Sequence, residues 1–252
     1  MKLLRNIMTP YEQRAQQELL FWQQKIQKKP SFANKLAKNI QTRINSYIPE
    51  KVHKAITVTI QKMVEGVLFG AKYVNPDVRT EGSLQLREAH VRERIEFYRN
   101  TASAEGAITG AGGFLLAFAD FPLLIGIKLK LLFEVAALYG YDVKNYKERV
   151  YILYIFQLAF SSQQGRNEVY KHIQNWQGYS NTLPDDVSEF AWRSFQQEYR
   201  DYIDLAKMAQ LIPVIGAAVG AVVNYKLINQ LGETAIMCYR MRKMSALKIL
   251  KH

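Results

Sequence analysis

The sequence contains little cysteine, proline or histidine. Its 252 residues include 1 Cys, 7 Pro and 4 His. The single cysteine, Cys238, excludes a disulfide framework and a multi-cysteine metal site, and it fits a reducing compartment. The histidines are scattered along the chain without metal-ligand spacing. We therefore predict neither a metal site nor a cofactor, and the scarcity of proline favours long helices.

Sequence signatures of catalysis are also missing. The chain has no Walker-type glycine loop, no nucleophile elbow and no conspicuous pair of carboxylates. Gly110 and Gly112 lack the preceding strand that a dinucleotide-binding fingerprint requires. Catalytic groups can still gather from distant positions, so an enzyme stays open as an alternative. Its polar pocket would then contain Asp120, Tyr139, Asp142 and Asn224.

No uninterrupted apolar run is long enough for a confident membrane span. The charge-free windows 106–119, 150–165 and 208–225 contain 14, 16 and 18 residues, whereas a spanning helix needs about 20. If residues 106–127 crossed the bilayer, Asp120 would lie inside it at a cost of about 2.5–3.5 kcal/mol. The first residues also lack the apolar core of a secretory signal. We predict no fixed transmembrane helix, which leaves shallow insertion into one leaflet or ordinary core packing.

Positive charge is abundant and lies at the two ends of the chain. The net charge is +12, and residues 1–54 contain 11 Lys and Arg against 3 acidic residues. Residues 226–252 contain 6 basic residues against 1 acid. This distribution suits attraction to a polyanion, which could be a lipid surface, nucleic acid or an acidic protein, although it could simply aid solubility. Nucleic acid is an unlikely partner because the chain has no recognised module for it.

Residues 1–48 are predicted to form basic amphipathic N-terminal helices. The first helix covers residues 9–29, with an apolar stripe of Tyr11, Ala15, Leu19, Trp22 and Ile26 at helical spacing. This stripe could lie in a lipid interface or dock on the protein itself. The residues proposed to meet a membrane or partner are Trp22, Lys25, Lys28 and Lys29.

Residues 49–252 are predicted to form an all-α, single multi-helix domain with two glycine-rich helical hairpins. The first hairpin covers residues 106–142 and turns near Asp120, and the second covers 211–242 and turns at Asn224. An offset of 104 residues places Gly112 over Gly216, which suggests a weak internal repeat. Glycine lets helices approach closely, and Asp or Asn can cap the next helix. On the second helix of the first hairpin, Lys130 and Glu134 are expected to form an ordinary salt bridge.

The two glycine-rich segments together resemble the bacterial EcsC family over roughly residues 50–245. The runs that match are AGGFLLAFADFPLLI, LLFEVAALYGYD and LIPVIGAAVGAVVNYKLI. The resemblance implies an α-helical, cytoplasmic or membrane-associated bacterial protein whose biochemistry is undefined, and it supplies no catalytic residues. The matching positions are Gly112, Asp120, Pro122, Tyr139, Gly140, Asp142, Pro213, Gly216, Gly220 and Asn224.

The leading functional hypothesis is a non-enzymatic cytoplasmic protein that associates peripherally with the inner face of the cell membrane. Its basic ends would be attracted to anionic lipid, or the glycine-rich hairpins would contact a membrane-protein partner such as an ABC transporter. A few lysines suffice for reversible attachment, because each contributes about 1 kcal/mol near an anionic surface.

Overall fold

The computed structural model describes residues 8–27, 50–69, 76–111, 121–161, 163–202 and 217–249. Regular structure within these ranges is helical, which confirms the predicted all-α fold. The α-helices are α1 (Pro10–Gln27), α2 (Glu50–Phe69), α3 (Leu84–Ala111), α4 (Phe121–Leu138), α5 (Tyr146–Phe160), α6 (Gln163–Gln174), α7 (Trp176–Thr182), α8 (Trp192–Tyr202) and α9 (Ala217–Ile249).

Helices α3, α4 and α9 form the centre of the bundle. Helix α3 runs antiparallel to α9, because Glu88 contacts Arg240 whereas Arg99 contacts Tyr225. Helix α4 runs parallel to α9, since Lys128 bonds to Asn224 and the ring of Tyr139 stacks on that of Tyr239. The bundle therefore has two distinct ends. We call the end formed by residues 84–90, 138–142 and 236–243 the tyrosine end, and the end formed by residues 99–111, 121–128 and 217–228 the glycine end.

Helix α5 is buried on nearly every side, as its apolar sequence predicts. Asn145 caps its first turn by accepting a hydrogen bond from the Lys147 amide at 2.9 Å. The helix runs antiparallel to α9: the Tyr151 hydroxyl donates to the carbonyl of Cys238, and the Gln230 amide donates to the carbonyl of Ala159. The predicted interior position of residues 144–162 is thus confirmed for the helix.

Helix α1 uses its apolar stripe to dock on the domain. Ala15, Leu19 and Ile26 are buried, and the ring of Trp22 packs edge-on against Tyr170 with 6.0 Å between centroids. The capping box at its start forms as expected, because the backbone N–H of Thr9 donates to Glu12 at 2.8 Å. The alternative in which this stripe packs on the protein is therefore the one that the structure shows.

The predicted helix end at residue 223 is wrong. Helix α9 continues through Asn224 without a break for 33 residues. Asn224 is no cap, because its side chain is buried and accepts a hydrogen bond from Lys128. The turn of the first hairpin, the residues before α9 and the proposed repeat depend on residues 112–120 and 203–216, which lie outside the described residues.

Two further local predictions are also corrected. Glu134 does not pair with Lys130: it accepts hydrogen bonds from Arg94 and Tyr98 of α3, because its side chain faces that helix. A capping box predicted from Asp186 and Glu189 would begin a long helix at Asp186, and this is wrong. Asp186 caps only a short 3-10 turn, Val187–Glu189, and α8 begins afterwards at Trp192.

The closest glycine-mediated helix contact in the described ranges lies at Gly232, in the middle of α9. A Cβ atom there would lie 2.6 Å from two side-chain carbons of Ile95 on α3. Real Cβ atoms essentially never come this close, and Ile95 is β-branched and buried, so it has little freedom to move. The sequence analysis placed close packing at Gly112 and Gly216 and did not single out Gly232.

We predict that Gly232→Ala destabilises the protein although alanine is the better helix former. The clash should cost more than the roughly 1 kcal/mol that alanine contributes through helix propensity, with a net loss of about 1–3 kcal/mol. Gly66→Ala is the matched control, because a Cβ there would meet nothing within 4 Å. Urea unfolding should show that this control raises the free energy of unfolding by up to about 1 kcal/mol. A stabilised Gly232→Ala variant would contradict the assigned contact.

Candidate functional site

The tyrosine end contains a buried ion pair between α3 and α9. The guanidinium of Arg240 donates from Nε to Oε1 of Glu88 and from a terminal nitrogen to Oε2, both at 2.6 Å. Glu88 is fully buried and Arg240 is almost fully buried. Such two-point pairing is the strongest arrangement available to an arginine and a carboxylate. It joins two residues that are 152 positions apart in the sequence.

Two tyrosines and a second carboxylate complete this network. The Tyr139 hydroxyl donates to Oε1 of Glu88 at 3.0 Å, and the Tyr11 hydroxyl donates to Oε2 at 2.6 Å. Arg240 also donates to Glu18 of α1 at 2.6 Å. Burial and the nearby carboxylate raise the pKa of both tyrosines, so they act as neutral donors. The network therefore holds α1, α3, α4 and α9 together.

A second network lies beside the first. Glu148 at the start of α5 accepts hydrogen bonds from Arg242 at 2.7 Å and from the Tyr239 hydroxyl at 2.8 Å. The Arg242 guanidinium also lies 3.8 Å from the ring centre of Tyr141. Tyr239 stacks on both Tyr139 and Tyr141, so one aromatic cluster connects the two ion pairs. Burial raises the pKa of Tyr239 well above its ordinary value.

The segment after α4 explains three of the family-motif positions. Gly140 has a φ of +86°, and the backbone hydrogen bonds from Gly140 to Ala137 and from Tyr141 to Ala136 form a Schellman C-cap. A Cβ at Gly140 would also lie 2.9 Å from a backbone oxygen of Arg79. Asp142 is exposed and accepts a hydrogen bond from the Lys144 amide at 2.8 Å.

Arg87 anchors this turn without any carboxylate. It is buried, and its hydrogen-bond partners in the described part of the chain are backbone carbonyl oxygens. Desolvation by burial and the nearby charge of Arg79 lower its pKa. The carbonyl groups that it binds are those of Arg79, Thr80, Gly82 and Leu138.

A buried lysine marks the other half of the bundle. Lys128 of α4 is completely buried, and its ammonium group donates to Oδ1 of Asn224 at 3.2 Å and to the Leu124 carbonyl at 3.3 Å. Burial lowers the pKa of Lys128 to about 7, because desolvation disfavours the charged ammonium group. Asn224, predicted as a motif residue, thus has its role in the core and not at a helix end.

Of the four residues of the alternative enzyme pocket, the structure places Asn224 far from Tyr139 and Asp142. Tyr139 stacks on Tyr239, which is 15 residues from Asn224 along α9. A helix rises 1.5 Å per residue, so the two sites lie about 22 Å apart. Asp142 is exposed near Tyr139, and Asp120 lies outside the described residues. The described residues of this set therefore do not form one cleft.

The other predicted site positions are distributed as follows. Pro122 is exposed in the first turn of α4, and Gly220 lies in the first turn of α9. On α1, Lys25 is exposed, but the exposed aromatic is Phe21 and not Trp22. The positions outside the described residues are Gly112, Asp120, Pro213, Gly216, Lys28 and Lys29.

The glycine end exposes large apolar side chains. Leu123 is 50% exposed, Val222 is 53% exposed and Tyr225 is 42% exposed. Two cations lie beside them: Lys226 is exposed, and the Arg99 guanidinium lies 4.4 Å from the ring centre of Tyr225. These residues were not predicted to be exposed. Their exposure depends on which faces of α4 and α9 are covered, which the apolar sequence does not reveal.

The fold and these sites define an all-helical protein with two buried ion-pair networks at one end and the exposed side chains of Leu123, Val222 and Tyr225 at the other. No helix in the described ranges is both long and apolar enough to cross a bilayer. Those same ranges contain no group of three His, Cys, Asp or Glu residues that could hold a metal ion.

The chain belongs to the EcsC protein family, whose model matches residues 13–244. It is 44% identical to Protein EcsC of Bacillus subtilis (strain 168) over 227 residues, which cover 90% of this chain and 93% of that protein. It is 28% identical over 247 residues to Uncharacterized protein YdbA of the same organism, with 90% of each chain covered. No solved structure matches the chain. The predicted family is therefore confirmed.

Proposed function

We propose that this protein is a non-enzymatic peripheral membrane protein that attaches to anionic lipid on the inner face of the cell membrane through its glycine end. The observation that supports the proposal is the exposure of Leu123, Val222 and Tyr225 at one end of the bundle. Exposed apolar side chains with flanking cations are typical of surfaces that enter a lipid interface.

The sequence around the glycine end supports the same proposal. The segments 112–120 and 203–216 join the described helices there, at Ala111, Phe121 and Ala217. The first contains a single charged residue, Asp120, and the second includes the run LIPVIG. At the tyrosine end, by contrast, the carboxylates of Glu88 and Glu148 are each bound by an arginine and by tyrosine hydroxyls.

Replacing Leu123 by glutamate should weaken vesicle binding. The change removes an apolar contact and places a negative charge against anionic lipid, so we expect at least a tenfold lower partition coefficient. Flotation with phosphatidylglycerol-containing vesicles measures this, and binding of the natural protein should fall as salt is raised.

Leu86→Glu is the matched control. Leu86 is 47% exposed, but it lies on α3 at the tyrosine end. Its substitution should leave vesicle binding within about twofold of the natural protein. Phe21→Glu tests whether the exposed aromatic side chain on α1 contacts the membrane. If Phe21→Glu loses vesicle binding and Leu123→Glu retains it, attachment by the glycine end is contradicted.

A further inference from the structure

An apolar groove with a volume of about 370 Å³ lies between α2 and α4. This volume is within the range of pockets that bind small molecules. The groove is open to solvent along its length and contains few polar groups: Thr59 and two lysines. Its apolar walls include Met63, Val67, Ile125, Leu129 and Phe133.

Two glycines create the space in this groove. Gly66 on α2 and Gly126 on α4 both line it, and a Cβ added at either would meet nothing within 4 Å. The contrast with Gly232 is direct, because that glycine permits close helix packing. Glycine inside a helix costs about 1 kcal/mol relative to alanine. At positions 66 and 126 the missing side chains leave a space that the described residues do not fill.

Positive charge borders the groove. Lys62 of α2 and Lys130 of α4 are exposed and line it, and neither has a carboxylate within ion-pair distance in the described part of the chain. Glu134, one turn from Lys130, is already bound by Arg94 and Tyr98. Among the described residues that line the groove, none is acidic. An occupant with one anionic group and an apolar body would therefore match both its charge and its surface.

The lining of the groove favours a slender apolar occupant with one charged end. The described lining of the groove is apolar apart from Thr59, Lys62 and Lys130, so an apolar chain with a single anionic group matches it. A hydrocarbon chain is slender and apolar, and each methylene that it buries contributes about 0.8 kcal/mol.

We propose that the groove between α2 and α4 binds one long-chain fatty acid. The hydrocarbon chain lies between the helices over Gly66 and Gly126, and the carboxylate is paired by Lys62 and Lys130. The groove shares Pro122, Ile125 and Gly126 with the glycine end, but Leu123, Val222 and Tyr225 do not line it. Binding in the groove does not require that the protein binds vesicles.

The test uses the full-length protein and cis-parinaric acid, a fluorescent fatty acid, without vesicles. We expect saturable binding that oleate displaces. Gly126→Leu should reduce binding at least tenfold while leaving the circular dichroism spectrum and melting temperature intact, because its side chain enters open space. Val58→Leu, an exposed position on α2 that does not line the groove, is the control and should bind as the natural protein does.

The lysines are tested through the charge of the ligand. The double variant Lys62→Glu/Lys130→Glu should bind oleate at least tenfold more weakly, but it should bind methyl oleate as well as the natural protein does. Lys144→Glu, an exposed lysine at the start of α5, should change neither. Absence of saturable binding to the natural protein would overturn the proposal. Undiminished binding of cis-parinaric acid to folded Gly126→Leu would also overturn it. A change in the oligomeric state of Gly126→Leu would do the same, because it would show that a second copy of the chain occupies the groove.

Discussion

Glu88→Ala is expected to lower the free energy of unfolding by about 3–5 kcal/mol, as removal of one partner of a buried ion pair generally does. The substitution leaves the buried guanidinium of Arg240 with Glu18 as its remaining carboxylate. It also removes the acceptor for the hydroxyl groups of Tyr139 and Tyr11. Urea unfolding followed by circular dichroism measures the loss.

The matched control is Arg92→Ala, which removes an ion pair between the same two helices. Arg92 and Glu233 lie 3.2 Å apart, but both side chains are exposed. Exposed pairs contribute about 0–1 kcal/mol, so the control should change stability by less than 1 kcal/mol. The double variant Glu88→Leu/Arg240→Met should be more stable than Glu88→Ala, because it leaves no unpaired buried charge. If Glu88→Ala and Arg92→Ala lower the free energy of unfolding equally, the buried network contributes no more to stability than the exposed ion pair does.

Lys128→Met is expected to stabilise the protein at neutral pH. The folded-state pKa of Lys128 is about 7, and its ordinary value is 10.5. Between these values the unfolded chain binds a proton that the folded protein does not, so the stability of the natural protein rises with pH across this window. A shift of this size corresponds to about 5 kcal/mol. Methionine removes the penalty, and it should stabilise by about 2–4 kcal/mol at pH 7, less the lost hydrogen bond to Asn224.

The pH dependence distinguishes this cause from simple packing. The stability difference between Lys128→Met and the natural protein should shrink steadily from pH 7 to pH 10. Lys130→Met, an exposed lysine on the same helix, should show no such trend. Unfolding free energies measured by urea at each pH provide the comparison. If the difference in unfolding free energy between Lys128→Met and the natural protein stays constant with pH, the buried charge of Lys128 is not the cause of that difference.

The fold class and the family were predictable because both depend on local patterns. The helical spacing of Ile60, Met63 and Val67 predicted the buried face of α2, and these residues are buried. The turn at Tyr139-Gly140 was also predictable, since glycine tolerates the positive φ that a helix C-cap requires.

The partners of charged residues were not predictable, because they come from distant segments. Lys130 and Glu134 have ideal spacing for a pair on one helix, yet Glu134 faces α3 and binds Arg94. Glu88 and Arg240 are 152 positions apart, and nothing local marks either as buried. Asn224 resembled a helix cap by analogy with Asp120, whereas no Pro or Gly follows it closely enough to end α9.

The proposed attachment of the glycine end to lipid is tested most directly by a fluorescent probe at Leu123. Cys238 is buried and its pKa is raised by burial, so a thiol-reactive probe should label only an introduced cysteine. An environment-sensitive dye on Leu123→Cys should shift to the blue when anionic vesicles are added, and the same dye on Leu86→Cys should not. A shift at Leu86 alone, or at neither position while the protein floats with the vesicles, would contradict the proposal.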